Sequence, residues 1–301
     1  MVLSKLVKRA RELGDGRYWR SFVQRRVGDL ERRDRYADAL AARAPPYRGN
    51  VNRSRVARLE QDGYVNLTNI IQPAWLPDML SYFGGKDCFD LHRPHLGPFR
   101  GPANPPPETH VANYSPEIVA GAPYAFAIAN HPDVLAAAAA ILRATPTIAL
   151  MSVWWSLPRA DGKPEYAENF HRDFDDYRFI KLFCYLTDVD ETSGPHVFVR
   201  GSHRVNKHIE AKRPLSDELV AQEFGADNIL RIVGPAGTTF LENSFGVHRG
   251  MPAAARPRLI FQILYSLRPL IYGPRKPFVR PNGNADLAQL DPYINRVYLQ
   301  Q

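Results

Sequence analysis

The chain has 301 residues, of which 45% are hydrophobic and 23% charged, a composition that excludes a collagen, a coiled-coil rod and a disordered chain. Its longest apolar run, residues 134–142, has nine residues, less than half of what a membrane-spanning helix needs. Two cysteines, Cys88 and Cys184, cannot form a disulfide framework, so we expect a reducing compartment and a cytoplasmic location.

The net charge of +8 is not spread evenly along the chain. Residues 1–60 hold 16 Lys and Arg against 7 Asp and Glu, a charge of +9, whereas residues 61–301 hold 23 against 24, a charge of −1. A basic segment is therefore attached to a neutral body. The body gives no electrostatic sign of a nucleic-acid partner.

Helices are predicted in the basic segment, because apolar residues recur three and four apart over 3–13 and again over 18–42. Such helices could contact a membrane surface or another polyanion, or they could pack their apolar face on the body with the arginines in solvent. We favour packing. The sequence APPYRGN at 44–50 breaks the pattern and divides a basic helical N-terminal extension, 1–50, from the body, 51–301.

The first part of the body predicts helices separated by loops. A polar turn and a strand at 59–67 precede a helix at 73–82, and a further helix covers 131–142. Residues 86–123 contain eight prolines, which we expect to exclude regular structure. This loop is interpreted either as a lid or binding loop or as a surface excursion with no role.

Strands are predicted after residue 145, where short segments rich in β-branched and aromatic residues alternate with Gly, Pro, Asp and Ser. These segments are 148–157, 179–187, 197–199, 229–233, 238–241 and 259–267. Their spacing predicts an antiparallel barrel or sandwich with helices on one outer face, and hence an α+β fold.

Candidate metal ligands occur in the second half of the chain. His171 and Asp173 are two residues apart, and on an extended strand such positions point to the same face. His248 follows at the end of a later strand-like segment. Two imidazoles and one carboxylate on one face of an octahedron leave three positions open, which suits non-haem Fe(II) that activates oxygen.

Basic and aromatic residues near these ligands are candidates for binding a co-substrate. Arg258 begins the last predicted strand and could hold a carboxylate through two hydrogen bonds, whereas the competing Arg256 is expected in solvent. On the strand 179–187, Lys181 and Tyr185 share one face. If that face lines the barrel, Lys181 could assist or replace Arg258 and Tyr185 could lie near the co-substrate; otherwise Lys181 extends to the rim.

The ordered set His171, Asp173, His248 and Arg258 resembles the iron- and 2-oxoglutarate-binding motif of the Fe(II)/2-oxoglutarate-dependent oxygenases. Its surroundings, over about residues 56–268, resemble the phytanoyl-CoA dioxygenase-like family. They are QDGYV at 61–65, KLFCYLTDV at 181–189, GPH at 194–196 and RGSH at 200–203. Arg200 stands where relatives commonly carry proline, which we expect to affect a turn.

The resemblance implies a double-stranded β-helix, or jelly-roll, core in which His171, Asp173 and His248 bind Fe(II). It implies that 2-oxoglutarate chelates the metal, that Arg258 holds its distal carboxylate and that O2 takes the remaining position. Because the carboxylate of Asp173 is present, the implied reaction is hydroxylation of a small-molecule, lipid or sugar metabolite rather than halogenation, with release of succinate and CO2. The alternative is a catalytically silent jelly-roll module that binds a metal or another ligand.

Overall fold

The computed structural model describes residues 14–159, 162–207, 214–281 and 284–300, so the helix predicted at 3–13 lies outside the described residues. The described α-helices are α1 Gly16–Gln24, α2 Leu30–Ala41, α3 Arg53–Asp62, α4 Trp75–Gly84, α5 Pro116–Ala120, α6 Ala125–Ala129, α7 Pro132–Leu142, α8 Asp217–Phe224 and α9 Ala285–Ala288. The strands are β1 Tyr64–Leu67, β2 Asp87–Cys88, β3 Phe99–Arg100, β4 Val111–Asn113, β5 Thr147–Ser156, β6 Phe179–Tyr185, β7 His196–Val199, β8 Ile229–Ile232, β9 Thr239–Glu242, β10 His248–Gly250 and β11 Arg258–Ser266. In this part of the chain, every helix is too short or too polar to span a bilayer.

The strands form a large and a small antiparallel sheet and one separate pair. The large sheet has the order β1-β9-β6-β11-β5-β4, the small sheet has the order β10-β7-β8, and β2 pairs with β3. The predicted combination of helices with antiparallel sheets is therefore confirmed.

The two faces of the large sheet have different neighbours, as strand β6 illustrates. Leu182 and Cys184 belong to the main hydrophobic core, which also contains Ala137 and Ala138 of α7. On the opposite face, Phe183 and Tyr185 pack with Phe198 of the small sheet. The helices thus cover one face of the large sheet, while its other face meets the small sheet.

Some elements differ from the prediction for local reasons. The run 18–42 is two helices rather than one, because the Asp29 carboxylate caps α2 by accepting a hydrogen bond from the Arg32 amide, 2.8 Å away. The proline-rich segment does contain regular structure: β4 pairs with β5, and Pro116 begins α5, where a missing N–H costs nothing. Helix α3 was missed because Leu59 is its one fully buried residue.

The described part of the N-terminal extension packs on the body through polar side chains. Arg33 is 2% exposed; its guanidinium donates to the carbonyl of Asp176 and lies 4.5 Å from the Phe245 ring centroid. The buried Gln24 donates to the carbonyl of Phe174. The expected apolar packing is also present in α2, whose Ala37 and Ala41 join the main hydrophobic core, whereas Arg33 enters the body and the apolar stripe of α1 is exposed. The boundary at residue 50 stays a prediction.

The end of α3 packs against the turn that follows β7. Gly63 ends the helix with a φ of 77°, and a Cβ there would lie 2.5 Å from Nδ1 of His203. His203 Nε2 donates to the Glu60 carbonyl over 3.1 Å, whereas its buried Nδ1 has no hydrogen-bond partner among the described residues. Burial lowers the pKa of His203 to about 4.

We predict that this histidine makes the folded protein less stable in acid. The unfolded chain protonates His203 near pH 6.5, whereas the folded chain resists protonation down to about pH 4, so the stabilisation is complete above pH 6.5 and is lost as the pH falls. His203→Gln keeps a donor for Glu60 but does not titrate. It should reduce the pH dependence of the free energy of unfolding by about 1 to 2 kcal/mol between pH 7 and pH 5, measured by urea unfolding. The exposed His95→Gln is the control, and equal slopes in wild type and His203→Gln would contradict the prediction.

Candidate metal centre

Backbone pairing brings the three predicted metal ligands together. His171 and His248 exchange both backbone hydrogen bonds, each 3.0 Å long, and the Asp173 amide donates to the Ser244 carbonyl over 2.9 Å. The predicted strand is not present over residues 171–173: His171 forms an isolated bridge with His248, the first residue of β10, and Arg172 and Asp173 belong to no strand. The pairing places both histidines and Asp173 at one point between the two sheets.

The side chains at this point have the geometry of a metal site. Asp173 Oδ1 lies 3.7 Å from His171 Nε2, and Asp173 Oδ2 lies 3.2 Å from His248 Nε2. The three ligand atoms all lie within 4.8 Å of one another, and no other group of three such residues was found in the described ranges. Nδ1 of His171 donates to the Asn169 carbonyl over 2.8 Å and that of His248 to the Gly246 carbonyl over 2.9 Å, which leaves both Nε2 lone pairs for a metal.

The protonation states at the centre also suit metal binding. Burial lowers the pKa of His171 to about 4, so its imidazole is neutral at pH 7. Burial alone would raise the pKa of Asp173, but Lys181 and His248 outweigh it and hold this pKa well below its ordinary value. Burial opposes a charge on His248, but Asp173 outweighs burial and raises the pKa of His248, so a metal competes with a proton at this Nε2. His171 and Asp173, in contrast, already have the forms that bind a divalent cation.

Lys181 lies between the two sheets, on the face of β6 that also bears Phe183 and Tyr185, and does not extend to the rim. Its side chain is 7% exposed, and Nζ lies 2.5 Å from Asp173 Oδ2 and 2.8 Å from Asp175 Oδ2. Burial opposes its charge, but the two carboxylates outweigh burial and raise the pKa of Lys181. The positive charge of Lys181 is thus neutralised by two carboxylates of the protein itself.

Arg258 is a buried cation without such a balance. It is 3% exposed, and its Nη2 donates to Ser156 Oγ, 2.9 Å away on the neighbouring strand. Its Nε and Nη1 have no hydrogen-bond partner, and no carboxylate oxygen lies within 4 Å, among the described residues. Burial lowers the pKa of Arg258. The competing Arg256 is exposed and pairs with Asp190 at 3.3 Å.

Tyr185 shares its face of β6 with Lys181 but has different surroundings. Its hydroxyl donates to the Ile232 carbonyl over 2.7 Å and accepts from the His196 amide over 3.1 Å. The Arg258 guanidinium carbon lies 5.9 Å from the Tyr185 ring centroid. Its hydroxyl is thus occupied by backbone groups, and a role of Tyr185 beside a co-substrate stays a prediction.

The metal ligands, Lys181 and Arg258 all line one cavity of about 960 Å³. This volume exceeds what a small dicarboxylate needs and leaves room for a further ligand. The cavity therefore joins a candidate metal site and an unpaired guanidinium in one space.

A network of charged residues on the cavity wall was missed by the sequence analysis. Arg93 Nη2 donates to both oxygens of Glu165, at 2.6 and 2.8 Å, while its Nη1 donates to Asp90 at 3.2 Å. The buried His110 Nδ1 lies 2.9 Å from Glu168 Oε2. Asp90, Arg93 and His110 come from the proline-rich segment, and Glu165 and Glu168 come from the chain just before His171. No spacing in the sequence marks these five residues as a group.

A second buried pair, formed by His196 and Glu242, lies next to the metal ligand His248. His196 Nε2 lies 2.7 Å from Oε2 of the fully buried Glu242, and the His196 ring stacks beside His248 with centroids 5.6 Å apart. Burial lowers the pKa of His196. Glu242, on β9, had no sequence signal because it sits within an apolar strand.

Comparison with known proteins gives a likeness in structure only. No family model matches the chain, and no curated protein matches its sequence. Among solved structures, EctD from S. alaskensis with bound Fe has a TM-score of 0.54 at 17% identity, over 85% of this chain and 90% of that chain. EctD from S. alaskensis with 2-oxoglutarate and 5-hydroxyectoine has a TM-score of 0.51 at 18% identity, over 74% and 79%. The chain shares the fold of these structures.

The geometry predicts that a divalent cation binds at the three ligands. His171→Ala and Asp173→Ala should each weaken Ni²⁺ binding at least about tenfold, because each removes one of three donors. Isothermal titration calorimetry measures the affinity. The control His110→Gln changes a histidine of the same cavity outside the triad and should bind Ni²⁺ as the wild type does. Undiminished affinity in either triad variant would contradict the assignment.

Proposed function

We propose that this protein is an Fe(II)- and 2-oxoglutarate-dependent dioxygenase of the phytanoyl-CoA dioxygenase-like kind. The observation that carries the proposal is the convergence of His171, Asp173 and His248 in the cavity that also contains the unpaired guanidinium of Arg258. The facing antiparallel sheets support a double-stranded β-helix core. The iron and 2-oxoglutarate in the EctD structures support the choice of metal and co-substrate.

The residues of the centre would have two roles, binding the metal and orienting its ligands. His171, Asp173 and His248 would hold Fe(II), which when bound supplies the activation of O2 for hydroxylation with release of succinate and CO2. The backbone carbonyls of Asn169 and Gly246 keep both imidazoles oriented with Nε2 toward the metal.

Arg258 is the proposed partner of the distal carboxylate of 2-oxoglutarate. Its Nε and Nη1 can donate to an anion, and Ser156 holds Nη2 in place. Lys181 is the weaker candidate, because Asp173 and Asp175 already neutralise it. We assign Lys181 to orienting the Asp173 carboxylate.

The first prediction from this function concerns turnover. Purified protein should form succinate from 2-oxoglutarate only when Fe(II) and O2 are both present, with a further increase when its small-molecule substrate is supplied. His171→Ala and Asp173→Ala should abolish succinate formation, which is followed by chromatography. Full turnover in either variant would refute the proposal.

The second prediction separates the two candidate anchors. Arg258→Met should weaken 2-oxoglutarate binding about 10- to 100-fold, because a charge-assisted hydrogen-bond pair is lost. Lys181→Met should weaken it far less, and the exposed control Arg256→Met should leave it unchanged. Anaerobic calorimetry with Fe(II) measures the affinity. If wild type shows no 2-oxoglutarate binding that depends on either Arg258 or Lys181, the chain is the silent jelly-roll module; if Lys181→Met has the larger effect, the anchor is Lys181.

A further inference from the structure

We propose that helix α1 docks the protein on an anionic lipid surface beside the mouth of the cavity. Three large apolar side chains of this helix are exposed: Trp19 is 48% exposed, Phe22 40% and Val23 54%. They lie at positions i, i+3 and i+4, so they form one stripe along the helix. We call these three residues the α1 stripe.

Cationic side chains flank the α1 stripe. Arg20, Arg25 and Arg26 are exposed, and residues 16–26 contain four arginines and no acidic residue. The Arg26 guanidinium carbon lies 3.3 Å from the Phe22 ring centroid, so charge and apolar surface occupy the same patch. An apolar stripe bordered by arginines fits the boundary between lipid headgroups and acyl chains, where the apolar groups enter and the cations meet phosphate.

The opposite side of α1 is held by the body, which keeps the α1 stripe turned outward. Arg17 Nη1 donates to the carbonyls of Leu270, at 3.2 Å, and Pro274, at 2.8 Å. Gln24, at the end of the helix, is fully buried and donates to the Phe174 carbonyl. The helix is therefore fixed by its polar side, and its apolar side is presented as a preformed surface.

A lipid surface fits the α1 stripe better than a protein partner does. A stable protein interface buries roughly 800 Å² on each partner, which three side chains of a nine-residue helix do not supply. A membrane requires no matching shape, and its anionic headgroups complement a segment in which residues 1–60 carry a charge of +9. Residues 3–13, before the helix, repeat the combination of apolar and basic residues in the sequence.

The position of α1 relates the docking surface to the cavity. Arg25, directly after the helix, lines the cavity and contacts the hydroxyl of Tyr272, which is another lining residue and is 41% exposed. Docking through the α1 stripe would therefore bring the cavity mouth close to the lipid surface. If the proposed function holds, an amphiphilic substrate could enter from the membrane; docking itself does not depend on that function.

Vesicle co-sedimentation of the full chain tests the proposal. We expect at least about fivefold more protein to sediment with phosphatidylcholine vesicles containing phosphatidylglycerol than with phosphatidylcholine alone, and we expect added salt to reduce this fraction. The triple variant Trp19→Ser, Phe22→Ser, Val23→Ser and the double variant Arg20→Gln, Arg26→Gln should each lose about fivefold. Val233→Ser, which changes an exposed valine outside α1, is the control and should bind as the wild type does.

Several outcomes would overturn the proposal. One is equal sedimentation of the triple variant and the wild type. Another is binding to heparin without binding to vesicles, which would identify a general polyanion site. A third is a dimer of the wild type that the triple variant dissociates, measured by sedimentation velocity, which would show that a second copy covers the α1 stripe. Ni²⁺ binding checks that each variant is folded, and the double variant carries the test if the triple variant is not.

Discussion

The candidate site depends on the backbone pairing of His171 with His248. The two residues exchange both of their backbone hydrogen bonds, and six residues after Asp173 the chain enters β6 of the large sheet. The same short segment thus extends the small sheet and leads into the large one. Because side chains alternate along an extended chain, a shift of this pairing by one residue would turn His171 and Asp173 together away from His248.

Lys181 and Arg258 are two buried cations between the sheets that have different partners. Lys181 is neutralised by Asp173 and Asp175, whereas Arg258 has a hydroxyl partner in Ser156 and two unused donor atoms. A buried charge without a counter-ion destabilises the folded state, and an anion that binds to it offsets that cost. A carboxylate that bound at Arg258 would therefore relieve an electrostatic cost of the fold.

The arginines of the basic N-terminal segment have two different environments. Arg17 and Arg33 satisfy backbone carbonyls of the body, and Arg33 also lies over the Phe245 ring. Arg20 and Arg26 remain in solvent beside exposed apolar side chains. The charge of residues 1–60 is thus divided between attachment to the body and an exposed surface, which helical periodicity alone does not distinguish.

The sequence by itself determined six strands of the second half, the alternation of side chains along β6 and the order of the candidate ligands, because alternation and motif spacing are local properties. Only the tertiary structure decided that Lys181, rather than Arg258, forms ion pairs, because the folded chain brings Lys181 next to Asp175. It also decided that the hydroxyl of Tyr185 bonds to the Ile232 carbonyl of the small sheet. Partners distant in sequence are chosen by packing, which local patterns do not record.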